Sequence, residues 1–408
     1  MTKRRSTVTV LFGATWLLCT VVGAEVSVRL LAMLSRRVDC ITRECEPVFV
    51  DSRTLAMAGN PLWPEHDGRG FHNPRALSEA DVVALGDSHT YGTNVKVDRA
   101  WPALLAGRLH LRVYNMGLPG TGPIQSLDFV NEAKALHPKS IVFGFYFGND
   151  LADDFEAGLR RGRLPEFVER DAMARIDSAE HHQALERRIA GLIPFRSPVK
   201  PRETESAPSL PTRLKQYLSR HSRIYGFFRS VKERLVAPPR ALTLEVRYED
   251  AVAGLTGARK ATLTPFSDGQ WKTILTSSYR LVTLDQSDVR IQVGLTIAER
   301  EIQAMRDTAV AAGARYVVVL LPTKETVFQD RIRDPASYLG YVALVEAEAE
   351  AKRQLVAFFR ANHIEFVDPL PALKASPAQP YFQNGDGHPN DVGHAIIASE
   401  VAAHLSAP

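Results

Sequence analysis

Residues 81–92 read DVVALGDSHTYG, an apolar and β-branched run that stops abruptly at Gly86-Asp87-Ser88. The run predicts a strand, because valine suits the pleated backbone, and glycine followed by aspartate breaks it. A serine placed just past a strand end is either a turn former or a nucleophile. The choice depends on whether the chain supplies a base, an acid to orient it, and donors for an oxyanion.

Four further runs extend the pattern: RVYNMG at 112–117, SIVFGFYFG at 140–148, ARYVVVLLP at 314–322 and IEFVDPL at 364–370. Near-continuous apolar strands imply a parallel sheet covered on both faces. Helical periodicity falls between them at about 123–137, 297–312, 341–361 and 391–405, giving the βαβ alternation of a doubly wound α/β fold. Ligands of such sheets bind beyond the carboxyl ends of the strands. Those ends carry Gly86-Asp87-Ser88, Asn115-Met116-Gly117 and Gly148-Asn149-Asp150, and NGDGHPNDVGH at 384–394 adds Asp386 and His388 before the last helix.

This set, in this order, resembles the SGNH/GDSL hydrolases, a flavodoxin-like three-layer family that cleaves or transfers acyl esters. The resemblance covers about 78–155 and 295–405. It implies that Ser88 is the nucleophile and that His388 is the general base, with Asp386 fixing its tautomer. It further implies that the oxyanion hole comprises the Ser88 and Gly117 N–H groups and the Asn149 amide. The family usually spaces acid and histidine as Asp-x-x-His, whereas Asp386 and His388 are spaced Asp-x-His, which is similar to the alginate O-acetyltransferase-like branch. A rival pair with the commoner spacing, Asp391 and His394, is expected on the closing helix, where His394 would pack.

The N-terminus carries a second signal. Lys3, Arg4 and Arg5 precede Ser6–Ala24, 19 residues without a charge. That is long enough to cross a bilayer as a helix. A cleaved signal peptide ending near Ala24 and an uncleaved signal anchor both fit. The anchor is favoured on the length of the run, and apolar character resumes in VSVRLLAML at 26–34, which predicts that the helix extends out of the membrane. Either way the bulk of the chain is expected outside the cytoplasm. Cys40 and Cys45 could close a small disulfide loop or stay as free thiols.

Composition excludes little else. The 408 residues carry 50 Lys and Arg against 46 Asp and Glu, a net charge of +4, too small to imply a nucleic-acid partner. No Cys and His cluster has zinc-like spacing, so neither a metal nor a cofactor is expected. The organisation expected is a basic cluster and signal-anchor helix at 1–36, a linker at 37–77, the first part of the catalytic domain at 78–155, a mainly helical insertion or lid at 156–290, and the second part at 291–408. Between Arg196 and Arg240 the insertion holds eleven Lys or Arg against three Glu. It includes the amphipathic stretch RLKQYLSRHSRIYGFFRSVKERL at 213–235, which reads as a solvated helix face, a groove for an anionic polysaccharide, or a helix on lipid head groups. Glu180-His181-His182 lacks a third metal ligand at sensible spacing and reads as exposed helix. His89 and Lys324, the latter in PTKE at 322–325, are candidates for substrate contact.

These features converge on a membrane-anchored extracytoplasmic serine esterase or O-acyltransferase, acting on an O-acylated glycan or envelope polymer, with envelope polysaccharide machinery as a partner. A lipase or thioesterase on the same fold, or an inactive glycan-binding or assembly protein, would share the same pattern.

Overall fold

The structure is a computed structural model that describes residues 2–35, 38–39, 42, 48–52, 56–176, 217–218, 222–236, 247–255 and 262–407. Cys40, Cys45, Glu180-His181-His182 and most of the basic stretch at 196–240 lie outside the described residues. The chain divides into two units, one of Met1–Asp51, Ala58–Gly70 and Lys200–Ala241, and the other of Ser52–Met57, Phe71–Val199 and Leu242–Pro408.

The larger unit is built on strands β1 (Val82–Gly86), β2 (Val113–Asn115), β3 (Ser140–Tyr146), β6 (Arg315–Leu321) and β7 (Glu365–Val367), all at the predicted positions. They form one parallel sheet in the order β2-β1-β3-β6-β7. That is the flavodoxin-like order, with a topological switch point between β1 and β3. Val82, Ala84, Val142, Val317 and Val319 pack with Trp101 and Leu105 of α3 (Trp101–Leu109) and Ile397 and Val401 of α10 (Asp391–Ser406). The alternate residues Val83, Ile141, Phe143 and Val318 are equally buried, so both faces are covered. Helix α4 (Pro123–Ala133) packs on β1 and α8 (Val289–Ala311) on β6, with α5 (Asp150–Arg160) against both helices. Helix α9 (Tyr341–Ala361) has the expected bounds. Helix α8 starts earlier than its periodicity suggested, because the Asp288 side chain caps it by accepting from the Arg290 N–H.

The insertion departs from a mainly helical subdomain near its end. Strands β4 (Thr264–Ser267) and β5 (Lys272–Leu275) form an antiparallel hairpin. Its turn is set by Asp268, which accepts from the N–H groups of Gln270 and Trp271 at 2.9 and 2.7 Å. Phe266, Trp271 and Leu275 are buried with Phe328, Tyr341 and Tyr381, so the hairpin shares a core with the catalytic part rather than lying over it. Thr273 Oγ1 donates to the carbonyls of Phe382 and Asn384 at 3.0 and 3.2 Å, which fastens β5 to the loop before Asp386.

In the smaller unit, α1 (Thr2–Leu34) is a continuous helix of 33 residues. Its stretch Thr15–Leu34 is long and apolar enough to cross a membrane, and Trp16, Leu17 and Leu18 are exposed on it. Glu25 accepts from Ser222 Oγ and from the N–H groups of Arg223 and Ile224, and so caps the start of α6 (Arg223–Val236).

Candidate active site

The site begins where β1 ends. Gly86 has φ of 140°, and a Cβ there would lie 2.6 Å from the Gly144 carbonyl oxygen, so only glycine lets the chain turn against β3. Asp87 then accepts from the His89 N–H at 2.8 Å and caps the short helix α2 (Ser88–Tyr91), which starts at Ser88. From the other end of the sequence, the loop before α10 brings His388 Nε2 within 2.8 Å of Ser88 Oγ. The Ser88 hydroxyl is also 3.3 Å from Asp87 Oδ2. It has one proton to donate, and the imidazole offers the shorter contact.

His388 Nδ1 lies 2.5 Å from Asp386 Oδ1, and the same oxygen accepts from the His388 backbone N–H at 2.8 Å. The two-residue spacing therefore closes a tight loop, with the ring folded back on the carboxylate. Asn94 Nδ2 donates to Asp386 Oδ2 and occupies the other oxygen. Burial alone would raise the Asp386 carboxyl, but His388 and Lys324 outweigh it and hold the group far below the usual carboxylate range. A carboxylate on Nδ1 leaves Nε2 as the acceptor facing the serine.

Residues 284–408 match the family model described as an SGNH hydrolase-like domain, acetyltransferase AlgX. That match gives the last third of the chain an SGNH hydrolase-like domain. Among solved structures it is similar to a G-D-S-L family protein from Desulfitobacterium hafniense DCB-2, at 12% identity over 80% of this chain and 99% of that one, with a TM-score of 0.35. It is also similar to a GDSL-like lipase from Bacteroides thetaiotaomicron VPI-5482, at 12% identity over 79% and 86%, with a TM-score of 0.32. Neither likeness bears on the substrate. No curated protein matches the chain.

The remaining SGNH positions are placed less simply than the resemblance implies. Asn149 stands at the start of α5, where its Nδ2 donates to Asp153 Oδ2 at 2.6 Å and so uses one of its two amide protons within the helix. The carbonyl of the preceding Gly148 accepts from Arg280 Nη1 at 3.0 Å and Thr283 Oγ1 at 2.7 Å, two donors from the end of the insertion. Gly117 requires a correction. Its N–H donates to Asn115 Oδ1 at 2.9 Å and is not free for an oxyanion. A Cβ at Gly117 would lie 2.5 Å from the Tyr91 nitrogen, so the glycine is needed for the close approach of α2.

The two candidates for substrate contact are also placed differently. His89 is buried, stacked 3.6 Å from the Tyr146 ring and 4.7 Å from that of His388. Burial pushes its pKa below the ordinary histidine value despite the neighbouring Asp87. Lys324 is buried with its ammonium on three backbone carbonyls, those of Ile274, Asn384 and Asp386, so it does not overlook the crevice. Substrate contact would need both exposed at the crevice, but both are buried.

The rival pair does not assemble. His394 is fully buried, and its Nδ1 accepts the Trp101 N–H at 3.2 Å, an otherwise unsatisfied donor at the start of α3. Burial brings its pKa down to about 3, which keeps it neutral as that acceptor requires. Asp391 instead faces Arg99 at 3.9 Å on the surface. Asn94 and Arg280 escaped the sequence reading. Arg280 sits in a stretch without motif, and Asn94 is 292 residues from Asp386.

Proposed function

We propose that this chain is a membrane-anchored, extracytoplasmic serine esterase or O-acyltransferase that works on an O-acetylated glycan or envelope polymer through an acyl-enzyme. The observation that carries the reading is the His388 ring, held between Ser88 Oγ at 2.8 Å and Asp386 Oδ1 at 2.5 Å. The match of the C-terminal third to an acetyltransferase-type SGNH model supports acetyl as the group moved.

In this mechanism His388 Nε2 takes the Ser88 proton as Oγ bonds to the ester carbon. Charge developing on the carbonyl oxygen is met by the Ser88 N–H and the second amide proton of Asn149, with Asp153 and the Arg280–Thr283 clamp fixing the loop that carries Asn149. Asp386 stabilises the imidazolium without taking its proton. His388 then gives that proton to the departing sugar oxygen, which leaves the acyl group on Ser88. Water or a second sugar hydroxyl next loses its proton to His388 and attacks the acyl carbon. The Ser88 oxygen departs and is reprotonated.

A fluorophosphonate should label wild-type protein at Ser88 and leave Ser88→Ala unlabelled. The full chain should also release acetate from acetylated envelope glycan, or move acetyl to a deacetylated one, with glycan mass recorded alongside free acid. Absence of both labelling and acetyl movement would return the chain to a binding or assembly role.

A further inference from the structure

Lys324 follows β6 and has no exposed surface. Its Nζ donates to the carbonyls of Ile274 at 2.8 Å, Asn384 at 3.0 Å and Asp386 at 2.9 Å. An ammonium has three N–H bonds, and each is used. Burying such a charge on carbonyls is costly compared with an apolar side chain of similar volume, so folding alone gives little reason for it.

The three carbonyls show what the charge holds. Ile274 belongs to β5 of the insertion hairpin, while Asn384 and Asp386 belong to the loop that delivers the triad. Asn384 is itself tied to that loop, since its Oδ1 accepts the Asp386 N–H at 2.8 Å. The next residue acts alongside: Glu325 Oε1 accepts from the Thr276 N–H at 2.6 Å and from Thr276 Oγ1 at 3.0 Å, pinning the chain just after β5. Thus two consecutive side chains at one strand end join the insertion to the sheet, and one of them reaches the backbone of the orienting acid.

We propose that Lys324 is a positioning residue for the reaction, whose ammonium holds the Asn384–Asp386 backbone so that the Asp386 carboxylate meets His388 Nδ1, and which thereby couples triad geometry to the hairpin that ends the insertion. The proposal rests on the serine acyl-transfer reading and deepens it. A neutral amine has two N–H bonds and must release one of the three carbonyls, so the device works only while charged.

The charged groups around the ammonium are Glu325 and Asp386, which favour its charge, and Arg280, which opposes it. Burial dominates and brings Lys324 down to about 8. Because this lies below the free-lysine value of 10.5, the unfolded chain binds more protons between about 8 and 10.5, and the contribution of this group to stability rises with pH across that window. Positioning runs the other way, since activity falls as the ammonium is lost. Activity and stability therefore diverge above pH 8, which a purely structural lysine would not produce.

The test uses the full chain in lipid nanodiscs, as wild type, Lys324→Met and Lys324→Gln. Turnover of a neutral aryl acetate and thermal unfolding are followed from about pH 6 to about pH 10, and the His388 tautomer is read by 15N-histidine NMR. Wild type should lose kcat through pH 8 with no loss of thermal stability. Lys324→Met should lower kcat about 100-fold with KM within about twofold, abolish the alkaline fall and mix the His388 tautomers. Lys324→Gln, which keeps two donors, should fall between. A folded Lys324→Met with kcat within about threefold of wild type, with the same alkaline fall, or with an unchanged tautomer would overturn the proposal. If neither variant folds, the wild-type profile decides, and activity lost only where stability is lost counts against it. If wild type shows no turnover and no Ser88 labelling, the acyl-transfer reading fails, while the tautomer comparison still tests Lys324.

Discussion

Ser88 and His388 are 300 residues apart in the chain and 2.8 Å apart in space, and that single hydrogen bond makes specific forecasts. Ser88→Ala and His388→Ala should each abolish ester turnover, and the double variant should be no worse than either, because nucleophile and base act as one unit. Steady-state and single-turnover kinetics check this, and additive losses would separate the two roles. Asp386→Asn should be milder, since the orienting group carries no proton in the reaction. His394 behaves oppositely. Its pKa falls from an ordinary 6.5 to about 3 in the fold, so the unfolded chain binds more protons between those values. This group's stabilisation is present above about pH 6.5 and lost as pH falls toward 3. Chemical denaturation of wild type and His394→Asn across that range should show the acid-dependent component in wild type alone, while fluorophosphonate labelling at neutral pH persists in both.

At the scale of elements, the site depends on how closely α2 meets its neighbours. Gly117→Ala would press a methyl group into the backbone of Tyr91, and strain of this kind costs about 1–3 kcal/mol. The expected result is a lower Tm together with a lower kcat, because α2 carries Ser88. A loss of activity with Tm unchanged would instead favour a direct role for the Gly117 N–H in the oxyanion hole. Asn149→Ala removes a donor while α5 remains, and should lower kcat by about 10²–10³ with a smaller change in KM. Arg280 and Thr283 extend the same logic to the insertion. They hold the Gly148 carbonyl, so the segment that interrupts the βαβ rhythm also supports the loop carrying Asn149.

For the whole molecule, the basic cluster ahead of the apolar helix sets the forecast for topology: N-terminus in the cytoplasm and catalytic unit outside. A C-terminal reporter that works only in oxidising or extracytoplasmic surroundings should be active, and replacing Lys3, Arg4 and Arg5 with neutral residues should weaken that orientation. A reporter active only in the cytoplasm would refute the proposed localisation.

Much of this was legible from local chemistry. The five parallel strands and helix α9 followed from periodicity, because a residue buried on both faces of a sheet must be apolar whatever packs on it. Ser88, Asp386 and His388 were singled out by the resemblance that their motifs carry, and the fold brings them within hydrogen-bond distance of one another. Helix α3 and the β4–β5 hairpin were not legible, since each is short and its apolar residues find burial only against distant partners such as Ile397 and Phe328. The order of motifs along the chain thus determined the fold class and named the three residues proposed as the triad. Whether a polar group at the crevice faces substrate or protein was decided by the tertiary structure, because exposure depends on what arrives from elsewhere in the chain. Lys324, His89 and the Gly117 N–H all stand at strand ends, and each is claimed by a neighbour that no local pattern announces: the hairpin and triad loop, the Tyr146 ring, and the Asn115 side chain.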